Sequence, residues 1–230
     1  MYVRGTEFAM AVQEGIQPTP FSMFLASVMS CPTENATVID AGAGTGVLSI
    51  VLAKHGARKV YAIERSPEAC ELIVKNSIIN GVADRVIAVQ ADIRDYYPTG
   101  TVDYVVCNPP TMPQHGELPL YATGGGDDGF GFIDILIRQL PIWLGPHGCA
   151  EIISSSLVDW ERMTATCARA HLSLRCMATM LLPLRQFYQA SYSDSELTRL
   201  ATSGQLATDI RAGRTQFNEF VRVHRCDRVS

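Results

Sequence analysis

From residue 37 to 156 the chain alternates between short runs rich in β-formers and longer segments whose apolar positions recur at helical spacing. Residues 37–40 form an apolar run closed by an acid and followed by Gly42, which predicts a strand ending in a tight turn. Residues 59–64, 86–91, 102–107 and 149–154 read as further strands. Between them, residues 47–55 predict a helix that stops near Gly56, where a left-handed glycine closes a last turn. Residues 67–80 predict a second helix, with Pro67 in its first turn and Gly81 as its stop, and 130–144 a third. Two later runs, 176–184 and 216–224, complete a set of seven strands. The alternation predicts an α/β fold: a doubly wound, mostly parallel seven-stranded sheet that binds ligands beyond the carboxyl ends of its strands.

Two segments lie outside the alternation. Residues 1–36 form an N-terminal extension in which Thr19 would cap and Pro20 would open a helix; Phe21, Phe24, Leu25 and Val28 give it an apolar face suited to the sheet edge. Residues 37–230 then form the main unit, with 185–214 as an insert before the last strand. The insert carries Ser193-Asp194-Ser195-Glu196, a capping-box pattern that predicts a short helix.

Composition narrows the class. With 47% hydrophobic and 18% charged residues in 230, the chain suits a compact enzyme rather than a disordered or fibrous protein. A net charge of −4 argues against a dedicated nucleic-acid binder. Residues 211–230, with five arginines against Glu219 and Asp227, offer a local exception, read first as solvated arginines at a strand end. The seven cysteines are scattered and contain no Cys-x-x-Cys pair, which fits free thiols in a reducing cytosol better than a zinc site. The N-terminus lacks the charged-then-apolar pattern of a secretion signal, and no uncharged apolar stretch reaches membrane-spanning length. A cytoplasmic protein without metal or membrane is the expectation.

The candidate chemistry sits at the ends of the predicted strands. Asp40-Ala41-Gly42-Ala43-Gly44-Thr45-Gly46 joins the first strand to the first helix, and its glycines let backbone approach a ligand closely. A dinucleotide fingerprint would need its third glycine at Val47, and Asp40 would repel a pyrophosphate but suit an ammonium or sulfonium. Glu64, with Arg65 beside it, ends the second strand where ribose hydroxyls would need acceptors. Asp92-Ile93 follows the third, where an acid can take an adenine amino group and an isoleucine can cover the ring. S-adenosylmethionine fits this set and NAD fits poorly. The fourth strand ends in Asn108-Pro109-Pro110, whose prolines remove two backbone donors and stop the strand. What remains presents two acceptors, the Asn108 side-chain oxygen and the Pro109 carbonyl, which can hold a planar N–H group.

These residues resemble the class I S-adenosylmethionine-dependent methyltransferases. Within them they are similar to the Asn-Pro-Pro branch: the release-factor and ribosomal-protein glutamine methyltransferases and the adenine-amino methyltransferases of RNA and DNA. The resemblance covers roughly residues 17–156 and implies cofactor contacts at Thr19, Asp40, Gly42, Gly44, Thr45, Gly46, Glu64, Arg65, Asp92, Ile93 and Asn108. It implies catalysis by Asn108 and Pro109 on an amide or amine nitrogen of a protein or small molecule. Gly124-Gly125-Gly126-Asp127-Asp128-Gly129-Phe130 looks like the Gly-Gly-x-Asp-Gly-Leu segment of the glutamine enzymes. The acceptor wall is expected at Pro110, Thr111, His115, Tyr121, Asp127, Asp128 and Tyr188, with Phe187 and Tyr192 as contact or packing. Trp143 and Trp160 are assigned to packing. Thr111 stands where the family carries an aromatic residue. That departure lowers a nucleic-acid adenine acceptor, the alternative reading, and leaves open a protein that binds the cofactor without transferring its methyl.

Overall fold

The computed structural model describes residues 1–30, 34–111, 125–126, 128–185, 189–190, 192–211 and 213–229. A short antiparallel hairpin of β1 (Tyr2–Val3) and β2 (Thr6–Glu7) precedes α1 (Pro20–Val28). The alternating region then runs β3 (Thr37–Ala41), α2 (Val47–Lys54), β4 (Lys59–Glu64), α3 (Pro67–Ile79), β5 (Val86–Gln90), β6 (Val102–Cys107), α4 (Gly131–Trp143) and β7 (Leu144–Ser155). It continues through α5 (Trp160–Arg169), β8 (Leu172–Pro183), α6 (Asp194–Thr202), β9 (Leu206–Arg211) and β10 (Arg214–Arg228). The large sheet has the order β5-β4-β3-β6-β7-β10-β8. Strands β5, β4, β3, β6 and β7 pair in parallel, and β10 runs antiparallel to both β7 and β8.

Strand parity explains why the sheet is wound on both faces. Successive side chains of a strand point to opposite sides. On β3, Val38 joins the core beneath α1, α2 and α3, whereas Ile39 and Ala41 join the core beneath α4 and α5. Tyr104 and Val106 divide from Val105 and Cys107 in the same way on β6. Both faces are thus dry, as a parallel sheet requires.

Several expectations need correction or extension. Helix α1 begins as foreseen, with Thr19 as N-cap and Pro20 in its first turn, but it does not lie at the sheet edge. It packs beside α2 on the sheet face, over the interior strands β7 and β10, and Leu25, Ala26 and Met29 are fully buried there. The insert carries the expected capping box, Ser193 with Glu196, at the start of α6. It also adds an eighth strand, β9, paired antiparallel with β10 and joined to a small core of Leu184, Leu197, Leu200 and Leu206. Helix α5, capped by Asp159, occupies a stretch left unassigned by the apolar pattern. Trp143 is buried, and its Nε1 donates to the Tyr96 carbonyl at 3.1 Å. Trp160 is 40% exposed and lies against the ring of His224, so it packs with one side only. Among the described residues no helix is long and apolar enough to cross a membrane.

Candidate functional site

The turn after β3 is shaped by glycine. Gly42, Gly44 and Gly46 all have φ between 55° and 78°, the left-handed region that side chains resist. Each serves a different need. A Cβ on Gly42 would come 3.4 Å from the Phe132 ring, and one on Gly46 would come 3.2 Å from Ile73 Cγ1. A Cβ on Gly44 would meet nothing within 4 Å, because that residue faces open space. The turn is tied to β4 by Gly42 and Ala43, whose N–H groups both donate to the Ile63 carbonyl. Asn76 supports it from α3, donating its Nδ2 to the Thr45 carbonyl at 3.0 Å.

Contrary to the expected contact with a cationic cofactor, Asp40 is absent from the cleft lining and turns away from the ligand side. Its side chain is fully buried on the α2 face, the face that Val38 shares. Asp40 Oδ2 accepts from Ser49 N at 3.0 Å and from Ser49 Oγ at 2.6 Å. Gly46, as N-cap of α2, has no side chain to satisfy the first helical N–H groups, and Asp40 does so from the strand beneath. Oδ1 is buried without a partner. Burial pushes the carboxyl up to about 7, aided by Glu64 and opposed by the two Ser49 bonds. A carboxyl whose folded value is raised binds its proton more readily folded than unfolded. Its favourable contribution is complete below the ordinary value of 3.8 and gone above about 7. Wild type is therefore expected to lose stability relative to Asp40→Asn, by on the order of a few kcal/mol, as pH rises across that interval. Urea midpoints of both proteins read the effect, and a pH-independent difference between them would refute the buried-carboxyl assignment.

Beyond the carboxyl ends of β3, β4, β5 and β6 lies a cleft of about 390 Å³. Of the residues expected to bind cofactor, Thr19, Gly42, Gly44, Thr45, Glu64, Arg65, Asp92, Ile93 and Asn108 all line it. Pro110 lines it too, joining the acceptor motif to the same space. Asp40 and Gly46 lie behind the turn, and Pro109 and Thr111 are buried outside the lining. His115, Tyr121, Asp127, Phe187 and Tyr188 lie outside the described residues. Arg94, Phe132, Ile135, Arg185 and the 15–18 segment complete the walls without having been anticipated. Phe132 and Ile135 lie three apart on α4, a spacing that puts both on one helix face.

Glu64 is held ready at the cleft wall. Its Oε2 accepts from Gly44 N at 3.0 Å, and its Oε1 from Arg65 N and Ser66 N at 2.8 and 3.0 Å. The three bonds fix the carboxylate while leaving acceptor capacity, since two ionised oxygens offer about four lone-pair positions. Asp92 is gripped by Arg94, whose Nε donates to Oδ1 at 3.0 Å and Nη2 to Oδ2 at 2.6 Å. That side-chain bonding holds the Asp92 carboxyl below its ordinary value and fixes its plane. Size, the paired acids and the open Gly44 fit an adenosyl group with an amino-acid tail.

At the other end of the cleft, Asn108 Nδ2 donates to Thr19 Oγ1 at 3.3 Å. The Cys107 Sγ, one residue earlier, donates to the Ala41 carbonyl at 3.0 Å and fastens the end of β6 to the end of β3. Asp128 behaves as a capping residue: its Oδ1 accepts from Phe130 N at 3.0 Å, and its other oxygen pairs with Arg162, which also covers the Phe130 ring.

Comparison with known proteins places these features in a wider set. Residues 23–115 match the family model described as the TRM5/TYW2 methyltransferase domain. A Methanocaldococcus jannaschii protein assigned as a protein N5-glutamine methyltransferase is 33% identical over 129 residues, covering 54% of this chain and 64% of that one. The tRNA1(Val) (adenine(37)-N6)-methyltransferase of Shewanella loihica is 31% identical over 132 residues, 53% of each chain. The chain thus spans between half and two-thirds of the length of these curated relatives. Among solved structures, the YcgJ protein from Bacillus subtilis superposes with a TM-score of 0.65 at 14% identity, covering 91% of this chain and 98% of that one.

Proposed function

We propose that this chain, a methyltransferase by its family match and its relatives, transfers the methyl group of S-adenosylmethionine to an amide or amine nitrogen of a protein or small molecule. One observation carries the reading: Asn108 and Pro110 open onto the same cleft as Glu64 and Asp92. The cofactor half and the acceptor half of the chemistry therefore share one space.

In this reading Glu64 accepts from a ribose hydroxyl, Asp92 and Ile93 hold the adenine, and the Gly42–Gly46 turn takes the amino-acid portion. Arg94 leaves Asp92 able to accept at Oδ2 alone, because its backbone N and its Nε together fill Oδ1 while only Nη2 reaches Oδ2. The bound cofactor supplies an electrophilic methyl on a sulfonium centre. The protein's task is to make a poor nucleophile attack in line. An amide or aromatic amine nitrogen has its lone pair delocalised; the Asn108 oxygen, which opens onto the cleft, and the Pro109 carbonyl, whose residue is buried beside the lining, are the two acceptors assigned to hold its N–H bonds and favour pyramidalisation as the new bond forms. Those interactions are stronger in the transition state than in the ground state, which is what accelerates transfer.

A nucleic-acid adenine acceptor is the second reading, favoured by the Shewanella loihica relative. The net charge of −4 and Thr111 in place of a stacking aromatic weigh against it, since stacking contributes about 1–3 kcal/mol per base. The cytosol is the proposed compartment, because Cys107, Cys149, Cys167 and Cys226 are buried free thiols. The test is a cell extract incubated with the protein and methyl-labelled cofactor, then split into protein, nucleic-acid and small-molecule fractions. Label in the protein or small-molecule fraction is expected; label in the nucleic-acid fraction alone would move the assignment to the second reading, and none in any fraction would overturn transfer.

A further inference from the structure

Thr19 was expected near the cofactor, yet its hydroxyl is engaged by Asn108, and that bond has a direction. The direction comes from a closed set of bonds at the start of α1. Ser22 Oγ donates to the Thr19 carbonyl at 2.9 Å and accepts from Thr19 N at 2.8 Å. Thr19 Oγ1 accepts from Ser22 N at 3.1 Å and donates to Ser22 Oγ at 3.4 Å. Each hydroxyl has one proton and two lone pairs. The Ser22 proton is spent on a carbonyl, which leaves Ser22 Oγ as the acceptor for the Thr19 proton. Thr19 Oγ1 then has one lone pair left, and it can be filled only by a donor. The bond set favours an Asn108 amide with its NH2 toward Thr19, and that is the direction in which it donates.

The helix that carries this network is firmly seated. Leu25, Ala26 and Met29 are fully buried, Ser22 is nearly so, and the α1 end is tied down by Ser30 N donating to the buried Glu151 carboxylate at 2.9 Å. Arg4 adds a bond to the Met29 carbonyl.

We infer that Thr19 and Ser22 are positioning residues that fix the Asn108 amide with Oδ1 as its free end, so that the motif meets the substrate N–H with an acceptor. The opposite rotamer would face the N–H with another donor and repel it. This rests on the acceptor role proposed for Asn108, and it gives the N-terminal segment a part in the transfer step.

The chain contains five asparagines, so selective 15N-asparagine labelling yields five side-chain amide pairs, and the Asn108 pair is the one missing from Asn108→Ala. Thr19→Val is expected to shift that pair and speed its proton exchange several-fold, and Thr19→Ser to restore both. With the labelled acceptor fraction and saturating cofactor, turnover should fall about 10–100-fold in Thr19→Val, with cofactor Kd changed less than about threefold. Ser22→Ala keeps the Thr19 hydroxyl but frees its proton, and its turnover should lie between those of wild type and Thr19→Val; it also serves if the valine variant melts too low to assay. An unmoved Asn108 pair in Thr19→Val overturns the inference. So does a loss of cofactor affinity that matches the loss of turnover, since Thr19 would then be a cofactor contact. If Asn108→Ala still transfers at the wild-type rate, the acceptor role fails while the amide-direction result stands by itself.

Discussion

Glu64→Ala is expected to weaken S-adenosylmethionine binding by on the order of 10–10²-fold in calorimetry, the largest affinity change of any single cleft substitution. Hydrogen bonds to a charged group contribute about 1.5–3 kcal/mol each, and in the proposed complex a ribose hydroxyl takes the lone-pair position left open on Oε2. Losing that bond corresponds to roughly 1.5–3 kcal/mol, with every 1.4 kcal/mol worth a factor of ten. The free protein makes the case stronger, because Gly44, Arg65 and Ser66 already aim their N–H groups at the two oxygens. Wild type orders the carboxylate before the ligand arrives, so little of the binding energy is spent on ordering it. Alanine removes the ribose partner and also releases Gly44, whose backbone lies at the open centre of the turn. Glu64→Gln separates the two contributions: it keeps the length and one acceptor oxygen but turns an NH2 toward groups that are themselves donors. Its affinity should fall between the two. Unchanged binding in Glu64→Ala would remove the ribose assignment altogether. Asp92 is the weaker anchor, since Arg94 already takes two bonds on its Oδ1 and one on its Oδ2.

The path from sequence to site was readable where local rules decide the outcome. Gly56 and Gly81 sit just past the helices they stop, Pro67 opens α3, and Ser193 with Glu196 starts α6, because each of these acts within one turn of chain. The convergence of Glu64, Asp92 and Asn108 was readable because parallel strands bring their carboxyl ends to one edge. Asp40 departs from its expected place for a reason of parity. An acid at the end of a strand looks the same whether it points into the cleft or onto a face. Sharing a face with Val38, beneath Ser49 of α2, is what decides it. Strand β9 was hidden because only Leu206 of its residues is buried, so no alternation marks it. Helix α5 was hidden likewise, with Met163, Thr166 and Cys167 as its only buried residues, although Asp159 offered a cap. The Thr19–Asn108 bond spans 89 positions, and no pattern within one element can announce it.

Asn108→Ala is expected to lower methyl transfer by on the order of 10²–10³-fold at saturating cofactor, while cofactor Kd changes only a few-fold. As the new bond forms, the accepting nitrogen becomes electron-poor and its N–H bonds more acidic, so an acceptor fixed on them gains strength in step with the reaction. Removing one preorganised donor from an acyl-transfer oxyanion site costs about 2.7–4 kcal/mol, and an acceptor fixed on a developing positive charge works by the same electrostatics with the sign reversed. Cofactor affinity should survive because Glu64 and Asp92 hold the nucleoside from β4 and β5, a different part of the same wall. The fold should survive as well. Cys107 still fastens β6 to β3 through the Ala41 carbonyl, and the two prolines still end the strand. Turnover retained within a few-fold would defeat the mechanism, whatever the fate of cofactor binding. Complete loss is not the expectation either. The Pro109 carbonyl belongs to the backbone and no side-chain substitution removes it, so one of the two acceptors remains in the alanine variant. Transfer should therefore persist above the uncatalysed background, and that residue of activity separates a lost acceptor from a collapsed site.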